Sequence, residues 1–433
     1  MKSFFISTSL FLSILLTKVF AQDTITILQY NLLNYGNTTT YCPIDSNKVT
    51  DKNNWTKTIF DYAKPTIFAV NEINRQHVFH DSLLHNVMNT NGVTYYKLAP
   101  TTNTTNTYLM NALYYDSRKV ECAARYVAQN HVRDATVYKM YYISPDLERG
   151  DTVFFHCVLV HLKAGSYDSD KEDRGIMANN LMSWIENFDS LGETNFILMG
   201  DLNVYTNTEA AFQVLTNHRD SLIRFYDPIN QLGNWNGNPA FAAYHTQSTR
   251  GGNGSGCAST GGLDDRFDYI LFNRNIKDHA KGLCYVEGSY KNIGNDGNHY
   301  NKSIIADGNN SVPAAVLNAL YHNSDHLPIV MKLAVDATPS IGLVQPEYTT
   351  LAVRLSPNPT CNILSVDIND NRNGTWYTIN VVAPNGRVMR CINTQNHHSN
   401  IPVKALSQGL YMVIVTSDDG RYNSQMFVKK IRR

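Results

Sequence analysis

Residues 197–203 read Ile-Leu-Met-Gly-Asp-Leu-Asn, an apolar run that breaks into a glycine, a carboxylate and an amide. The apolar part fits a strand buried in a sheet. Gly200 lets the backbone bend, and Asp201 and Asn203, two residues apart, fall on one side of the strand end. A carboxylate there can orient or deprotonate water, and an amide can donate to a phosphoryl oxygen. Taken alone, an Asx turn explains the same residues.

Working outward, four more segments repeat the pattern of an apolar run that ends in polar residues. Thr24–Tyr30 (TITILQY) alternates like a strand and runs into Asn31, an amide oxygen suited to a hard cation. Ile67–Val70 runs into Asn71 and Glu72, and a glutamate at a strand end can coordinate Mg²⁺. Val153–Val160 ends in His161, followed by Gly165, and this histidine can contact phosphate or donate a proton. Ser324-Asp325-His326 precedes a last apolar run and sets a metal ligand or hydrogen-bond acceptor next to a titratable base. Asp268, at the start of Tyr269–Phe272, can fix the tautomer of His326. Loops that open at the carboxyl ends of strands are where functional groups collect.

Composition sets the frame. The chain has 433 residues, 43% hydrophobic and 17% charged, which is globular and unlike a disordered chain. Helical patterning is clearest at Asp173–Phe188, where Met177, Leu181, Trp184, Ile185 and Phe188 share one face and Asp173 can cap the start. Strands and helices in alternation predict an α/β domain over residues 22–335. Asn103–Thr107, Gly233–Pro239 and Gly251–Gly262 read as loops. Residues 1–350 carry 27 Lys/Arg against 33 Asp/Glu, and residues 351–433 carry 10 against 4. Without Lys2 and Lys18 the first domain stands at −8, so no strong electrostatic funnel draws in nucleic acid. An acidic site that holds a metal accounts for part of that deficit.

The N-terminus reads as a signal peptide, residues 1–21. Lys2 precedes the apolar run Phe4–Leu16, and Val19-Phe20-Ala21 supplies a small-residue cleavage site. The run is shorter than the roughly twenty residues a bilayer span takes, and no later stretch qualifies. Export permits disulfides, but seven cysteines leave at least one thiol unpaired within the chain. Cys157, inside an apolar run, is expected to be buried and free. Cys257 and Cys284 flank a Gly-rich stretch and are the first pair to consider.

In this order, Asn31, Glu72, His161, Gly-Asp201-Leu-Asn203, Asp268-Tyr-Ile and Ser-Asp325-His326 resemble the signature of the endonuclease/exonuclease/phosphatase superfamily. The resemblance runs from about Thr24 to Leu333. It implies two packed β-sheets flanked by helices, a four-layer α/β sandwich of the DNase I-like kind. It further implies that Asn31, Glu72 and Asp325 hold Mg²⁺, or else Ca²⁺ or Mn²⁺. His161, Asp201, Asp268 and His326 would be catalytic. Asn203, Arg133 in His131-Val-Arg133-Asp, and Arg174 would contact substrate. One position departs from the DNase I branch: Tyr108 and Asn111 stand where that branch carries an acid.

Residues 336–350 read as a Pro- and Gly-containing linker, and residues 351–433 as a small antiparallel β-sandwich. LSPNPTCNILSV (355–366), VVAPNGRVM (381–389), LSQGLYMVIV (406–415) and FVKKIRR (427–433) resemble the C-terminal sorting domain of the Bacteroidetes type IX secretion system. That resemblance implies export to the medium or the cell surface through that secretion machinery. An ordinary β-sandwich binding module is the other reading of the tail.

The expectation for the whole chain is a secreted, metal-dependent phosphodiesterase, monomeric, acting on extracellular DNA or RNA. A phospholipid phosphodiesterase of the sphingomyelinase kind, or a phosphatase, is the alternative. No clear exposed apolar hairpin supports a lipid substrate, because Tyr138–Ile143 reads as a core strand. A non-catalytic surface binding module comes third, since none of the key residues is lost.

Overall fold

The computed structural model describes residues 23–335 and 351–430, apart from breaks at 145–146, 148–151, 190, 253–256, 307, 371, 373, 385–387 and 419–420. The expected signal peptide and linker lie outside the described residues. The chain divides into two compact units between Ala337 and Thr338.

The first unit is built on two sheets. Sheet A has the order β11 (Leu283–Tyr285), β13 (Ile329–Val335), β1 (Asp23–Tyr35), β2 (Ile67–Asn74), β4 (Leu109–Asp116), β3 (Tyr96–Leu98), with β12 (Lys291–Asn292) also on β13. Sheet B has the order β5 (Val120–Gln129), β6 (Ala135–Tyr142), β7 (Phe154–His161), β8 (Phe196–Asp201), β10 (Asp268–Asn273), β9 (Phe225–Tyr226). Only β1–β2 and β7–β8 pair in parallel; the other strand pairs within the two sheets are antiparallel.

Side chains alternate across a strand, so each strand feeds two compartments. Ile25, Ile27, Ile67, Ala69, Leu113, Cys157, Leu159, Ile197, Met199, Ile270, Met331 and Leu333 fill the space between the sheets. The opposite parity of sheet A, including Leu28, Tyr30, Phe68 and Val70, packs with residues of α1 (Val49–Ala63), α2 (His77–Leu83) and α6 (Ala314–Asn323). The opposite parity of sheet B, including Val158, Val160, Leu198 and Tyr269, packs with residues of α3 (Asp168–Phe188) and α4 (Ala210–Thr216). A short α5 (Arg274–Lys277) follows β10. Helix, sheet, sheet, helix is the expected four-layer sandwich. Among the described residues no helix is long and apolar enough to cross a membrane.

Gly200 is required by space. Its φ is +146°, and a Cβ there would lie 1.8 Å from the Val160 carbonyl oxygen. β8 can therefore press against β7 so that His161 and Asp201 come into register. Cys157 is buried and free, and Tyr138–Tyr142 belongs to β6, as expected.

Two expectations are corrected. The helix predicted from Asp173 begins five residues earlier, at Asp168. Asp170 Oδ2 accepts the Tyr167 N–H at 3.2 Å at its start, and Asp173 accepts a hydrogen bond from His131 Nε2 at 2.7 Å instead of capping. The disulfide joins Cys257 to Cys42, not to Cys284, which lies in β11. The pairing crosses 215 residues of sequence, and local flanking of a loop carries no information about a contact of that range.

The second unit pairs a three-stranded sheet, β14 (Ala352–Ser356), β15 (Ile363–Asn369), β18 (His398–Pro402), with a four-stranded one, β17 (Val388–Thr394), β16 (Tyr377–Val382), β19 (Gly409–Ser417), β20 (Tyr422–Lys429). Alternate residues Leu364, Val366, Ile379, Val381, Val413 and Val415 close a core between them. This is the small β-sandwich expected.

Two buried histidines in the first unit tie stability to pH. Burial pushes His80 and His156 down to about 4. Between pH 6.5 and 4 the unfolded chain takes up protons that the folded chain refuses, so stability falls as pH falls through that window. Each histidine costs about 3 kcal/mol of stability once pH is below that window. Neither ring nitrogen of His156 has a hydrogen-bond partner. Urea denaturation of His156→Leu is expected to show a smaller drop between pH 7 and pH 4.5 than the unsubstituted chain; equal drops would contradict this account.

Candidate active site

The parity that fills the core also builds the site. Residues Ile25 and Ile27 of β1 are followed on the same face by Gln29 and Asn31. Ala69 of β2 is followed by Asn71, Leu159 of β7 by His161, and Met199 of β8 by Asp201. Asp268 precedes Ile270 on β10. The inter-sheet layer therefore changes at one end from aliphatic to polar, and all these polar residues are buried. Register completes the arrangement: Asn31 pairs with Asn71, His161 with Asp201, and Asp201 with Asp268.

Glu72 breaks parity. By strict alternation it would face the helices, but the ladder between β2 and β4 shifts register between Val70 and Ile73. Glu72 itself has φ +59°, in the left-handed region. A bulge of this kind re-aims a side chain, and strain at a non-glycine residue with positive φ persists where the surroundings enforce it. Here the result is that Glu72 Oε1 lies 3.2 Å from Asn31 Nδ2, and its Oε2 accepts the Asn34 N–H at 2.9 Å.

Asn31 Nδ2 is the meeting point. It lies 3.2 Å from Glu72 Oε1, 3.1 Å from Asp201 Oδ2 and 3.5 Å from His326 Nε2. The Asn31 oxygen accepts the Leu33 N–H at 2.9 Å. Asn31 thus presents its amino group to the acids.

His326 Nδ1 stands 2.7 Å from Asp268 Oδ2, and Nε2 stands 3.8 Å from Asp201 and 4.0 Å from Asp325. Burial alone would lower its pKa, but these three carboxylates outweigh burial and hold it well above the ordinary histidine value. Asp201 is pushed up to about 7, first by burial and then by Asp268 and Glu72, against the pull of His326. His161 Nε2 lies 3.6 Å from Asp201 and 3.9 Å from Glu72. Burial, Arg133 and His326 hold it well below its ordinary value, so its ring is neutral. Arg133 donates to the Leu162 carbonyl at 2.9 Å, and burial lowers its pKa. Asn203, with φ +52°, donates its N–H to Asp201 Oδ1 at 2.9 Å and its amide to Leu162 O at 3.3 Å.

Arg174 is the one predicted site residue that is not brought in. Its guanidinium is fully buried, with Nε and Nη2 on Glu209 Oε2 at 3.0 and 2.6 Å. Nη1 donates to the carbonyls of Lys163 and Gly165. It holds the loop after β7 to the start of α4, and the expectation of substrate contact is corrected on that ground.

Four residues that the sequence reading missed complete the site. Gln29 Nε2 bridges Asn71 Oδ1 at 3.0 Å and Asp268 Oδ1 at 3.1 Å, and so ties sheet A to sheet B. Asn71 Oδ1 also accepts the Asp201 N–H, while its amino group donates to Asn111 Oδ1 at 2.7 Å. Gln247 Nε2 reaches His326 Nε2 at 2.7 Å and Asp325 Oδ2 at 3.3 Å. Ser324 Oγ donates to Asn31 O at 2.7 Å and accepts the His326 N–H. Period-two counting finds Gln29 and Asn71; Gln247 lies in a loop and leaves no periodic signal. Tyr108, one residue at the departure noted above, is exposed, with Arg75 over its ring at 4.8 Å.

The donor set fits a divalent cation. Asp325 Oδ1 is buried and accepts no hydrogen bond, and a buried carboxylate oxygen without a partner calls for a cation. Glu72 is the second carboxylate. Among the described residues no group of three His, Cys, Asp or Glu side chains stands ready for a metal. Mg²⁺ needs only one or two carboxylates, with water and phosphate oxygens supplying the rest. A groove of about 730 Å³, lined in part by Tyr62, Tyr244, Glu287, Tyr290 and Lys332, contains none of these residues.

Arg174→Met is expected to lower stability by about 3–5 kcal/mol, because Glu209 is left buried and unpaired. KM for a chromogenic phosphodiester should stay unchanged in the folded variant. A raised KM at unchanged stability would restore the substrate role.

Comparison with known proteins adds the following. No curated protein sequence matches the chain. Among solved structures, an endonuclease/exonuclease/phosphatase from Beutenbergia cavernae is similar at 15% identity, over 94% of this chain and 100% of that one, TM-score 0.43. The human nocturnin catalytic domain with bound sulfate is similar at 13%, over 72% and 97%, TM-score 0.44. An endonuclease/exonuclease/phosphatase from Bacteroides vulgatus is similar at 15%, over 72% and 100%, TM-score 0.44. The fold assignment rests on the sheet order and parity described above, not on these values. Residues 354–429 match the family described as the secretion system C-terminal sorting domain. The C-terminal β-sandwich is therefore a secretion system C-terminal sorting domain, and the protein that carries it is exported, to the medium or to the cell surface.

Proposed function

We propose that the first unit is a divalent-metal-dependent phosphodiesterase that hydrolyses extracellular nucleic acid. The observation that carries this reading is the meeting of Glu72, Asp201 and His326 on Asn31, beside the unpaired oxygen of Asp325. Glu72 and Asp325 would hold Mg²⁺, or Mn²⁺ or Ca²⁺, which supplies polarisation of the phosphoryl oxygens.

The protein's own residues handle protons and charge. Asp201, raised to about 7, is poised near neutral pH to take the proton of an attacking water. His326, oriented by Asp268 and with its pKa raised by the carboxylates around it, faces the same point and can neutralise charge that develops on the phosphoryl group. His161, neutral, offers a hydrogen bond, and Arg133 and Asn203 flank it from the Leu162 turn.

Nucleic acid is favoured over lipid by the rings outside the site. Tyr41, Tyr108 and Tyr167 are 87%, 69% and 79% exposed, on loops next to the site-bearing ends of β1, β4 and β7. Isolated exposed rings suit base stacking, whereas a lipid surface calls for a contiguous apolar patch.

Purified protein with Mg²⁺ or Mn²⁺ is expected to cut plasmid DNA or RNA, and EDTA to abolish cutting. Asp201→Ala and His326→Ala should each lose roughly 10²–10⁴-fold. Cleavage that persists in EDTA or in either variant would contradict the mechanism. Choline-phosphate release from sphingomyelin without nucleic-acid cleavage would replace the substrate.

A further inference from the structure

The pair Asp325-His326 is gripped by a segment that the catalytic scheme leaves unused. Residues 246–249 run beside 324–327: Leu327 N–H donates to Thr246 O, Thr249 N–H to Asp325 O, and Gln247 bridges His326. From the same segment, Gln247 Nε2 reaches Asp325 Oδ2 at 3.3 Å. The return arm adds the Ser259 backbone N–H, 2.8 Å from the same Asp325 oxygen. The two arms are tied at their base, Ser248 N–H to Gly262 O at 2.8 Å and Gly262 N–H to Arg250 O at 2.9 Å.

Two residues before Ser259 stands Cys257, and its disulfide partner Cys42 belongs to the turn that follows β1. That turn supports the other carboxylate. Asn34 N–H donates to Glu72 Oε2, and Asn47 Nδ2 ties Asn34 O to Asn37 O at 2.7 and 2.8 Å. Cys42 is itself buried and exchanges backbone hydrogen bonds with Thr39. One covalent link thus joins the loop that fixes Glu72 to the loop that fixes Asp325.

We propose that the Cys42–Cys257 disulfide, with Ser259 and Gln247, is a positioning device that sets the separation and aim of the two cation-holding carboxylates, so that cation affinity depends on the oxidised state. Ser259 and Gln247 occupy Asp325 Oδ2, which leaves Oδ1 as the oxygen turned to the cation. Outer partners of this kind orient a ligating carboxylate. The inference rests on the proposed metal-dependent reading. It implies an enzyme that becomes competent for the metal where disulfides form, after export.

The test is calorimetric titration of EDTA-stripped full-length chain with Mn²⁺ alone. Oxidised protein, protein reduced and then desalted, and the Cys42→Ser/Cys257→Ser double variant are compared, each with a far-UV circular dichroism spectrum. Reduced protein and double variant should bind Mn²⁺ about 10- to 100-fold more weakly than oxidised protein, with unchanged spectra. Reoxidation should restore affinity in the unsubstituted chain only. Equal affinity in all three overturns the positioning role and leaves the proposed function standing. Loss of the folded spectrum in both thiol forms also overturns it, since the disulfide would then support the whole fold. Absence of Mn²⁺ binding in the oxidised protein overturns the metal-dependent reading itself, and the positioning role with it.

Discussion

The burial of acids is the constraint from which the rest of the first unit follows. Asp201, Asp268 and Asp325 are at most 2% exposed, and Glu72 is only partly open. Unpaired charges in that position cost several kcal/mol each. The fold meets this cost by surrounding the acids with donors. Gln29 Nε2 donates to Asp268 and Asn31 Nδ2 to Glu72 and Asp201, and the backbone N–H groups of Asn34, Asn203 and Ser259 serve Glu72, Asp201 and Asp325. His326 Nδ1 stands 2.7 Å from Asp268 Oδ2. Among these carboxylates, what remains without a hydrogen bond is a single oxygen of Asp325, the one that the proposed cation would meet.

The same constraint explains why the site lies where it does. A two-sheet sandwich offers a layer closed by side chains from both sheets, and it must end somewhere. At one end the inward positions stop being aliphatic, and the polar residues that replace them are too deep for water to serve freely. They therefore pair across the sheets. The left-handed conformation of Glu72 and the required glycine at position 200 belong to the same end, one re-aiming a carboxylate and the other letting β7 and β8 approach. Arg174 shows the contrast. It is as buried as any site residue, yet its pairing with Glu209 and two carbonyls uses its donors locally, and it faces no shared point.

Much of this was legible in the sequence because alternation is a local property. Apolar runs of β1, β2, β7 and β8 end in Asn31, Glu72, His161 and Asp201, that of β10 starts with Asp268, and in this order they resemble a superfamily signature that implies one site. Gln29, inside its run, and Asn71, beside Glu72, follow from the same parity and were not singled out. Three things were not legible. The β2 bulge that turns Glu72 inward depends on pairing with β4. Gln247 reaches His326 from an irregular segment 79 residues away in sequence. The Cys42–Cys257 link joins two loops that share no local signal. The sorting domain was the reverse case: short strands and turns mark a β-sandwich locally, and the resemblance of its motifs at 355–366, 381–389, 406–415 and 427–433 to a known family supplied the rest.

The central claim is that these acids enclose one cation. The most direct measurement is the anomalous difference map of a crystal soaked in Mn²⁺. The account predicts a peak within coordination distance of Glu72 and of the Asp325 oxygen that lacks a hydrogen bond, with water in the remaining positions. A peak elsewhere, or none between these two carboxylates at saturating Mn²⁺, would contradict it.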